Sequence, residues 1–404
     1  MADRSNRLPW RFWIVTLVAF INAVSFTIII PVLYPYAKQF GLSDFQASLL
    51  TTAYAAAQFI GTPILGRLSD RLGRKPLLIL SLLGTVIANV MASLAPFAWV
   101  LFLARVLDGV TGGNNSIAQA IISDITTPAQ RTQAFGIFGA TFRLGFVAGP
   151  PLSYLAQIVS PLPGISSLGM SFIVSAAIAL IAAILCAVGL PETHEVCEQL
   201  ELSWSEFKIG RISRSLQHPR FGRTFLVTFL SGFTFTIFTF AFQPFFLNVL
   251  DQTPGRLALV FAVFGIICFM SQVFALEPLR KRFNVVSILA FMLAARGVCF
   301  LLLPAFPSMP MFVLITVVFA AVNSFPLPLL KSILSLCSGP QEQGEVLGTN
   351  SSFLSLSNAI GPAIAGILVS VGYGFPFWIT GVLTLGVAWF SLSLREASPM
   401  PAAE

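Results

Sequence analysis

The chain has 404 residues, of which 56% are hydrophobic, 12% are aromatic and 10% are charged. A soluble domain carries about 25% charged residues, and a mean hydropathy of +0.86 indicates that most of this chain is surrounded by lipid. Soluble enzymes, disordered segments and nucleic-acid-binding proteins are therefore excluded. The formal net charge of +7 is interpreted as the Lys and Arg excess found in cytoplasmic loops of membrane proteins.

Twelve membrane-spanning helices are predicted, because each needs about 20 mostly apolar residues. The predicted spans are 12–35, 45–66, 76–94, 98–122, 133–157, 169–190, 223–249, 257–277, 285–304, 309–336, 345–371 and 374–394. A polar segment separates the first six from the last six. The predicted domains of this all-α polytopic membrane protein are an N-terminal six-helix bundle (1–190), a cytoplasmic central loop (191–222) and a C-terminal six-helix bundle (223–404).

The distribution of basic residues predicts the orientation in the membrane. With the N-terminus in the cytoplasm, 17 of the 23 Lys and Arg residues lie in cytoplasmic segments, whereas Lys38 and Arg256 lie outside. This asymmetry predicts that both termini are cytoplasmic. The remaining four basic residues fall inside predicted spans, at Arg105, Arg143, Arg296 and Lys331.

The two halves contain an internal repeat. Residues 126–150 align without gaps on residues 338–362 at an offset of 212, so that the Gly149-Pro150 and Gly361-Pro362 pairs coincide. Residues 66–73 align on residues 277–284 at an offset of 211. Six spans separate the copies, so both copies have the same orientation. Such parallel repeats predict a pseudo-twofold axis along the membrane normal, with a binding site near the midplane.

A short polar turn follows the second predicted span, with the sequence Gly66-Arg67-Leu68-Ser69-Asp70-Arg71-Leu72-Gly73-Arg74-Lys75-Pro76. Its glycines permit unusual backbone angles, and Asp70 suits a helix cap. Basic residues alone would hold the turn in the cytoplasm, so Asp70 and the glycine spacing indicate a further role.

This turn resembles the signature loop of the major facilitator superfamily of transporters, and the resemblance covers the whole chain. Residues 101–109, which include Arg105 and Asp108, are similar to the span-four arginine motif of proton-coupled members. The stretch from residue 104 to residue 155 is most similar to the tetracycline:proton antiporters and related drug exporters. The resemblance implies the major facilitator fold and transport by alternating access.

Two further motifs carry the resemblance. The span-five antiporter motif is similar to residues 145–150, with Gly145, Gly149 and Pro150, and the end of span six in drug exporters is similar to residues 190–193. The tetracycline exporters carry an acid in span one where this chain has Asn22, and their span-nine acid falls near Arg296. Their proton and substrate sites are therefore not carried over.

Asp108 is the one clear acid in the middle of a predicted span, three residues after Arg105 and on the same helix face. A charged side chain in the middle of a span costs at least about 2.5–3.5 kcal/mol, so each such residue is expected to have a structural or functional role. Asp108 and Arg105 are expected either to neutralise each other or to form a proton-coupling site, in which Arg105 controls the protonation of Asp108. Arg143 in span five is a candidate second partner of Asp108 or a substrate ligand.

The other two basic residues within spans lie in the second half. Arg296 is expected to pair within the helix bundle, and Lys331 is expected either to bind substrate or to extend toward the membrane surface. Pro326 and Pro328 precede Lys331 and should bend span ten. Four bases and one clear acid suggest a cavity that favours an anionic or zwitterionic amphipath.

The resemblance also implies a conformational latch on the cytoplasmic side, in which Asp70 faces the positive end of span eleven. The latch residues are Gly66, Asp70, Arg71, Gly73, Arg74, Asp124, Arg131 and Glu192. Spans one, four, seven and ten are implied to line the substrate cavity. The candidate lining residues are Asn22, Ser25, Asn115, Gln119, Arg143, Phe233, Phe238, Gln243, Asn323 and Lys331.

The predicted function is proton-coupled antiport of amphipathic small organic molecules out of the cell, by a monomer in the plasma (bacterial inner) membrane. A metabolite importer and a lipid-like-substrate flippase on the same fold are the alternatives. The sequence has no Walker, HExxH or GxSxG motif and no paired cysteines at metal-ligand spacing, so no enzymatic activity, metal or cofactor is expected. The expected partners are the substrate, protons and the lipid bilayer, and no nucleic acid.

Overall fold

The computed structural model describes residues 8–159, 161–193, 215–339 and 342–394, and this part of the chain contains helices and no strand. Each of the twelve predicted spans falls on helix. The helices of the first half are α1 Trp10–Ile29, α2 Leu33–Gln39, α3 Asp44–Leu72, α4 Arg74–Ser93, α5 Ala98–Thr111, α6 Asn114–Ile125, α7 Pro128–Ile158 and α8 Ser167–Gly189. Most of the predicted central loop, residues 194–214, lies outside the described residues.

The helices of the second half begin after this loop. They are α9 Gly222–Pro244, which continues as a π-helical turn Phe245–Val249, α10 Pro254–Arg282, α11 Val285–Ala305, α12 Met309–Asn323, α13 Pro326–Cys337, α14 Gln343–Val371 and α15 Phe375–Ser391. Among the described residues, eight helical segments are long and apolar enough to cross a membrane. A shorter apolar helix, Phe375–Ser391, has 17 residues.

Two predicted spans are broken in the middle. Span four divides into α5 and α6 at Gly112 and Gly113, where Gln58 Nε2 donates to the Gly112 carbonyl oxygen at 3.0 Å. Span ten divides into α12 and α13 just before Pro326. A proline lacks the amide hydrogen that would continue the preceding helix, so it fits the first position of α13.

The chain forms two compact units. Unit 1 comprises the described parts of Met1–Ser43, Ala53–Ser203 and Thr253–Ala262, and unit 2 those of Asp44–Thr52, Trp204–Gln252 and Val263–Glu404. In unit 1, α1 packs on α7 and α4 on α8; in unit 2, α9 packs on α14 and α11 on α15. The same helix pairs thus occur in both units, as the sequence repeat predicts.

Glycine allows the closest of these approaches, at equivalent positions of the repeat. In unit 1, the Thr27 hydroxyl donates to the Gly145 carbonyl oxygen at 2.8 Å, and a Cβ on Gly149 would overlap Thr27. In unit 2, the Thr236 hydroxyl donates to the Ser357 carbonyl oxygen at 3.2 Å. A Cβ on Gly361 would overlap that threonine in turn. The Gly-Pro motif of span five and its copy in span eleven therefore have the same packing role.

We expect the substitution Gly149→Ala to destabilise unit 1, because the added methyl group would occupy the position of the Thr27 hydroxyl. Overpacking of this kind costs about 1–3 kcal/mol. The control is Gly139→Ala on the same helix, where a Cβ would meet no atom within 4 Å and alanine is the better helix former. Thermal unfolding of the purified protein should show a lower midpoint for Gly149→Ala only. Equal midpoints for the two variants would contradict this packing.

Candidate functional site

The α3–α4 turn is organised around the Arg74 side chain, which is 9% exposed. Its guanidinium lies 2.5 Å from Asp70 Oδ1 and 3.1 Å from Asp124 Oδ2, and it donates to the Ser69 hydroxyl at 2.7 Å. Two carboxylates from two different helices therefore share one buried cation. This arrangement fixes the end of α3 and the end of α6 to the start of α4.

Glu192 joins a third segment to the same turn. Its two carboxylate oxygens accept hydrogen bonds from the backbone amides of Arg74 at 3.0 Å and Lys75 at 3.2 Å. These amides begin α4 and have no partner within their own helix. Gly73, just before them, has a φ of 97°, and a Cβ on it would meet the Glu192 carboxylate. Both observations explain the glycine of the motif.

The equivalent turn of unit 2 is built differently. Asn284 caps its own helix, because its Oδ1 accepts from the Val286 amide at 2.8 Å. Glu277 and Lys281 form an ion pair of 3.5 Å whose side chains are 77% and 75% exposed. The copies of the turn therefore share a position in the repeat but not a network of buried charges.

The remaining predicted latch residues lie around the unit 1 turn. The Gly66 carbonyl oxygen accepts from the Ser69 hydroxyl at 2.6 Å, and Arg131 donates to the Ser123 carbonyl oxygen at 3.2 Å. Arg71 is half-buried, and its Nε has no acceptor among the described residues. The pairing of Asp70 with span eleven stays a prediction.

The predicted proton-coupling pair lies inside unit 1. Arg105 Nη1 is 3.3 Å from Asp108 Oδ2, and the two residues are 2% and 4% exposed. Arg105 Nη2 also donates to Asn89 Oδ1 at 3.2 Å, and the Thr85 side chain hydrogen-bonds to Asp108. Removing either charge would leave the other buried and uncompensated, which is strongly destabilising.

Aromatic rings enclose this ion pair. The Arg105 guanidinium carbon lies 5.9 Å from the ring centre of Tyr54 and 5.7 Å from that of Phe172. Gln58 donates to the Tyr54 hydroxyl at 3.0 Å. The rings exclude water and attract the cation with their π-faces. The cluster can accept one proton on Asp108 with little competing solvation.

Arg143 is placed apart from this cluster. It lies on α7, its side chain is exposed, and it makes no hydrogen bond or ion pair with any residue that the structure describes. Arg105 is thus the cation that the structure brings to Asp108.

A pocket in unit 1 brings together two of the predicted cavity residues. It is small, with an accessible volume of about 10 Å³ that holds about one water molecule, and its lining residues are Val18, Ala19, Asn22, Leu78, Leu82, Asn114, Asn115 and Ala118. Asn114 Nδ2 donates to Asn22 Oδ1 at 3.0 Å, whereas the Asn115 Oδ1 atom is buried without a hydrogen-bond partner among the described residues. The pocket therefore offers amide groups within an apolar wall.

Other predicted lining residues take part in helix packing. Ser25 is fully buried and bonds to the Ser175 hydroxyl at 2.8 Å, so it joins α1 to α8 rather than facing a cavity. Phe238 is 4% exposed, with its ring centre 4.4 Å from that of Phe319 and 4.6 Å from that of Phe300. Close packing leaves Ser25 and Phe238 little or no accessible surface in this structure, and their place in a substrate cavity stays a prediction.

The rest of the predicted lining set is mixed. Phe233 is half-buried and stacks on Phe229, Gln243 is 6% exposed, and Gln119 on α6 is exposed. In span ten, Lys331 is exposed on α13. Asn323 is partly exposed at the end of α12 and accepts a hydrogen bond from Arg296 at 3.4 Å. Arg296 therefore pairs within unit 2, as predicted, although its partners are neutral.

Several polar residues around the Arg105–Asp108 pair and around Arg296 were not predicted from the sequence. Asn89 and Thr85 on α4 complete the Arg105–Asp108 site, and Ser231 and Thr234 on α9 receive Arg296. A single amide such as Asn89 within an apolar helix was a usable signal. Small hydroxyl residues are common in membrane helices and gave none.

No group of three or more His, Cys, Asp or Glu side chains positioned to hold a metal ion occurs in the described part of the chain. An all-helical fold with buried ion pairs inside membrane-spanning segments is typical of membrane transporters. The family model of the Major Facilitator Superfamily matches residues 15–216 and 224–404. The chain belongs to this superfamily and is a multi-pass protein of the plasma membrane.

Known relatives support this assignment. The chain is 29% identical to the tetracycline resistance protein, class E, of Escherichia coli over 373 residues, covering 88% of this chain and 86% of that protein. It is 28% identical to multidrug resistance protein 1 of Bacillus subtilis (strain 168) over 386 residues, covering 94% and 96%. A solved D-xylose-proton symporter matches with a TM-score of 0.73 at 16% identity, covering 96% of this chain and 99% of that one.

We expect Glu192→Ala to destabilise the α3–α4 turn, because two amides at the start of α4 lose their acceptor. Loss of a helix cap costs about 0.5–2 kcal/mol, and Glu192→Gln, which keeps one oxygen, should cost less. The matched control is Glu277→Ala in the repeat copy, where the ion pair is exposed and contributes little. Thermal unfolding midpoints should fall in the order control, Gln variant, Ala variant. A control variant as unstable as Glu192→Ala would refute the capping role.

Proposed function

We propose that this protein is a secondary active transporter that exports amphipathic small organic molecules in exchange for protons. The observation that carries the proposal is the Arg105–Asp108 pair, buried within a span and separated by 3.3 Å. A chain of this superfamily needs an energy source. Asp108 is a buried acid that can bind and release the coupling proton.

The geometry suits proton exchange for an electrostatic reason. While Asp108 is ionised, Arg105 compensates its charge, Asn89 accepts a hydrogen bond from Arg105, and the Thr85 side chain hydrogen-bonds to Asp108. Protonation of Asp108 would leave the Arg105 charge without its counterion in a low-dielectric site. The protonated and ionised forms would therefore favour different arrangements of α4 and α5. Arg143 would stabilise one of them as a second cation.

We further propose that all twelve predicted spans cross the membrane. Both termini would then be cytoplasmic, as the distribution of basic residues predicts. The α3–α4 turn would then lie on the cytoplasmic side. Its network around Arg74 would form the unit 1 part of the latch, released and remade as the transporter alternates between open states.

Export is favoured over import by the relatives that cover most of the chain, which are named for tetracycline and multidrug resistance. We infer that this chain likewise takes amphipathic organic molecules as substrates. The pocket with Asn22 and Asn115 is too small for such a ligand in this structure, and it supports the proposal only through its amide groups within an apolar wall. The substrates would be bound without a cofactor, by a monomer.

A metabolite importer is the second candidate. The structural likeness to the D-xylose-proton symporter is a likeness of fold alone at 16% identity. A sugar site would need more hydrogen-bonding groups than the pocket offers, because only three of its eight lining residues are polar. A flippase for lipid-like substrates is the third candidate. Measurements of substrate flux distinguish it from the exporter and the importer.

We expect Asp108→Asn to abolish efflux driven by a pH gradient, because the amide cannot bind and release a proton at this position. Proteoliposomes containing the full chain should export tetracycline only when a pH gradient is imposed. Asp108→Asn leaves the Arg105 charge uncompensated and should lower stability, so exchange of labelled for unlabelled probe without a gradient is the measurement that shows the variant is folded; we expect this exchange to persist. The control is Asp251→Asn, since Asp251 is exposed and its φ of 51° is one that asparagine tolerates.

Unchanged gradient-driven efflux by Asp108→Asn would remove Asp108 from the mechanism. Gradient-driven uptake into the cytoplasmic side by the unsubstituted protein would instead support the importer. Loss of efflux in Asp251→Asn would show that the assay reports general damage.

A further inference from the structure

Arg296 on α11 is a buried cation whose described partners are all neutral. It is 2% exposed, and its Nη2 donates to the Ser231 carbonyl oxygen and to the Thr234 hydroxyl, both at 3.1 Å. Its Nη1 donates to Asn323 Oδ1 at 3.4 Å, and its Nε has no acceptor in the described part of the chain. The ring of Phe300, 5.8 Å from the guanidinium carbon, lies beside the cation.

The buried arginines of the two units differ in their partners. Arg105 is equally buried but has Asp108 at 3.3 Å, whereas Arg296 has no carboxylate among the described residues within ion-pair distance. An uncompensated buried charge is expensive, and hydrogen bonds to neutral acceptors offset only part of that cost. Unit 2 therefore carries a positive charge that an anionic group would neutralise.

Asn323 connects Arg296 to a partly exposed position by a hydrogen bond. A guanidinium only donates hydrogen bonds, so the atom of Asn323 that faces Arg296 must be its carbonyl oxygen. The Asn323 amide NH₂ group then points away from Arg296. Asn323 is partly exposed, and its NH₂ group has no acceptor among the described residues.

The position of Asn323 in the fold supports a binding role. It is the last residue of α12, at the break that divides span ten before Pro326. Broken membrane helices place polar groups at mid-depth, where substrates of secondary transporters bind. Arg296 fixes the orientation of the amide there, and Thr234 and Ser231 hold Arg296 from α9.

We propose that the Asn323 amide, oriented and electrostatically supported by Arg296, binds an anionic oxygen group of the transported amphipath. The group would be a carboxylate or an enolate of similar size. This inference rests on the proposed function, since it assigns a substrate class to the same transporter. Arg296 is a positioning residue, and Asn323 is the residue that contacts the ligand.

The test uses matched probes with the full chain purified in detergent. Naphthylacetate is the anion, naphthylacetamide its neutral counterpart of nearly equal size, and naphthylethylammonium the cation. Isothermal titration calorimetry measures the affinity of each probe. We expect the unsubstituted protein to bind the anion about tenfold more tightly than the amide, since hydrogen bonds to charged groups are the stronger ones.

Two variants test the residues separately. Arg296→Gln removes the charge but keeps donors for Ser231 and Thr234, and Asn323→Asp places a carboxylate beside Arg296 that neutralises it internally. Both should reduce the anion-to-amide affinity ratio to about one, because binding of the anion should weaken much more than binding of the amide. The control is Arg282→Gln, an exposed base at the end of α10, which should keep the full ratio. A merely structural role for Arg296 would weaken binding of all three probes equally.

Retention of the anion preference by Arg296→Gln, or preference of the unsubstituted protein for the cation, would overturn the proposal. If Arg296→Gln does not fold, Asn323→Asp decides, with loss of the preference supporting the site and retention refuting it. The proposed function is judged separately by gradient-driven efflux in proteoliposomes. Efflux without any anion preference would refute the Asn323 binding site and leave the proposed export intact. An anion preference that depends on Arg296, without efflux, would refute proton-driven export and leave the binding site intact.

Discussion

The low dielectric constant of a membrane-embedded helix bundle governs where this chain can place charge. The Arg105–Asp108 ion pair satisfies that constraint with an acid and a base three residues apart on one helix. Asn89 accepts one hydrogen bond from Arg105, Thr85 hydrogen-bonds to Asp108, and aromatic rings lie beside the Arg105 guanidinium. Because every charge here needs a partner, a change of one proton on Asp108 alters the balance of the whole cluster, and coupling of protons to movement becomes physically reasonable.

The buried charge of unit 2 is compensated less completely than that of unit 1. Arg296 is held by a carbonyl oxygen, a hydroxyl and an amide, without an acid among its described partners. The two units would then have different roles: unit 1 would exchange a proton, and unit 2 would bind an anionic group. In this proposal the substrate supplies the counterion that Arg296 does not have among the described residues, so that binding and charge compensation are one event.

The helix framework beneath these sites is repeated. Thr27 against Gly149 and Thr236 against Gly361 give the same close approach in both units, because glycine alone leaves room for the threonine hydroxyl. The ends of the helices diverge. Glu192 caps α4 from another segment, whereas the equivalent helix of unit 2 is capped by its own Asn284. A duplicated packing scaffold thus carries different charge networks, and only the unit 1 turn has a buried arginine shared by two carboxylates.

Sequence alone determined the features that depend on composition and local pattern. Apolar length located the helices, and an acid three residues from a base on one helix predicted the contact of Arg105 with Asp108, since neighbours on a helix face must meet. Tertiary structure decided what depends on residues distant in the chain. It assigned Ser25 and Phe238 to packing, added Asn89 to the ion pair, and set Arg296 behind Asn323. The physical reason is that hydropathy fixes which segments are helical, whereas the direction in which each helix faces its neighbours is fixed by long-range packing that no local pattern encodes.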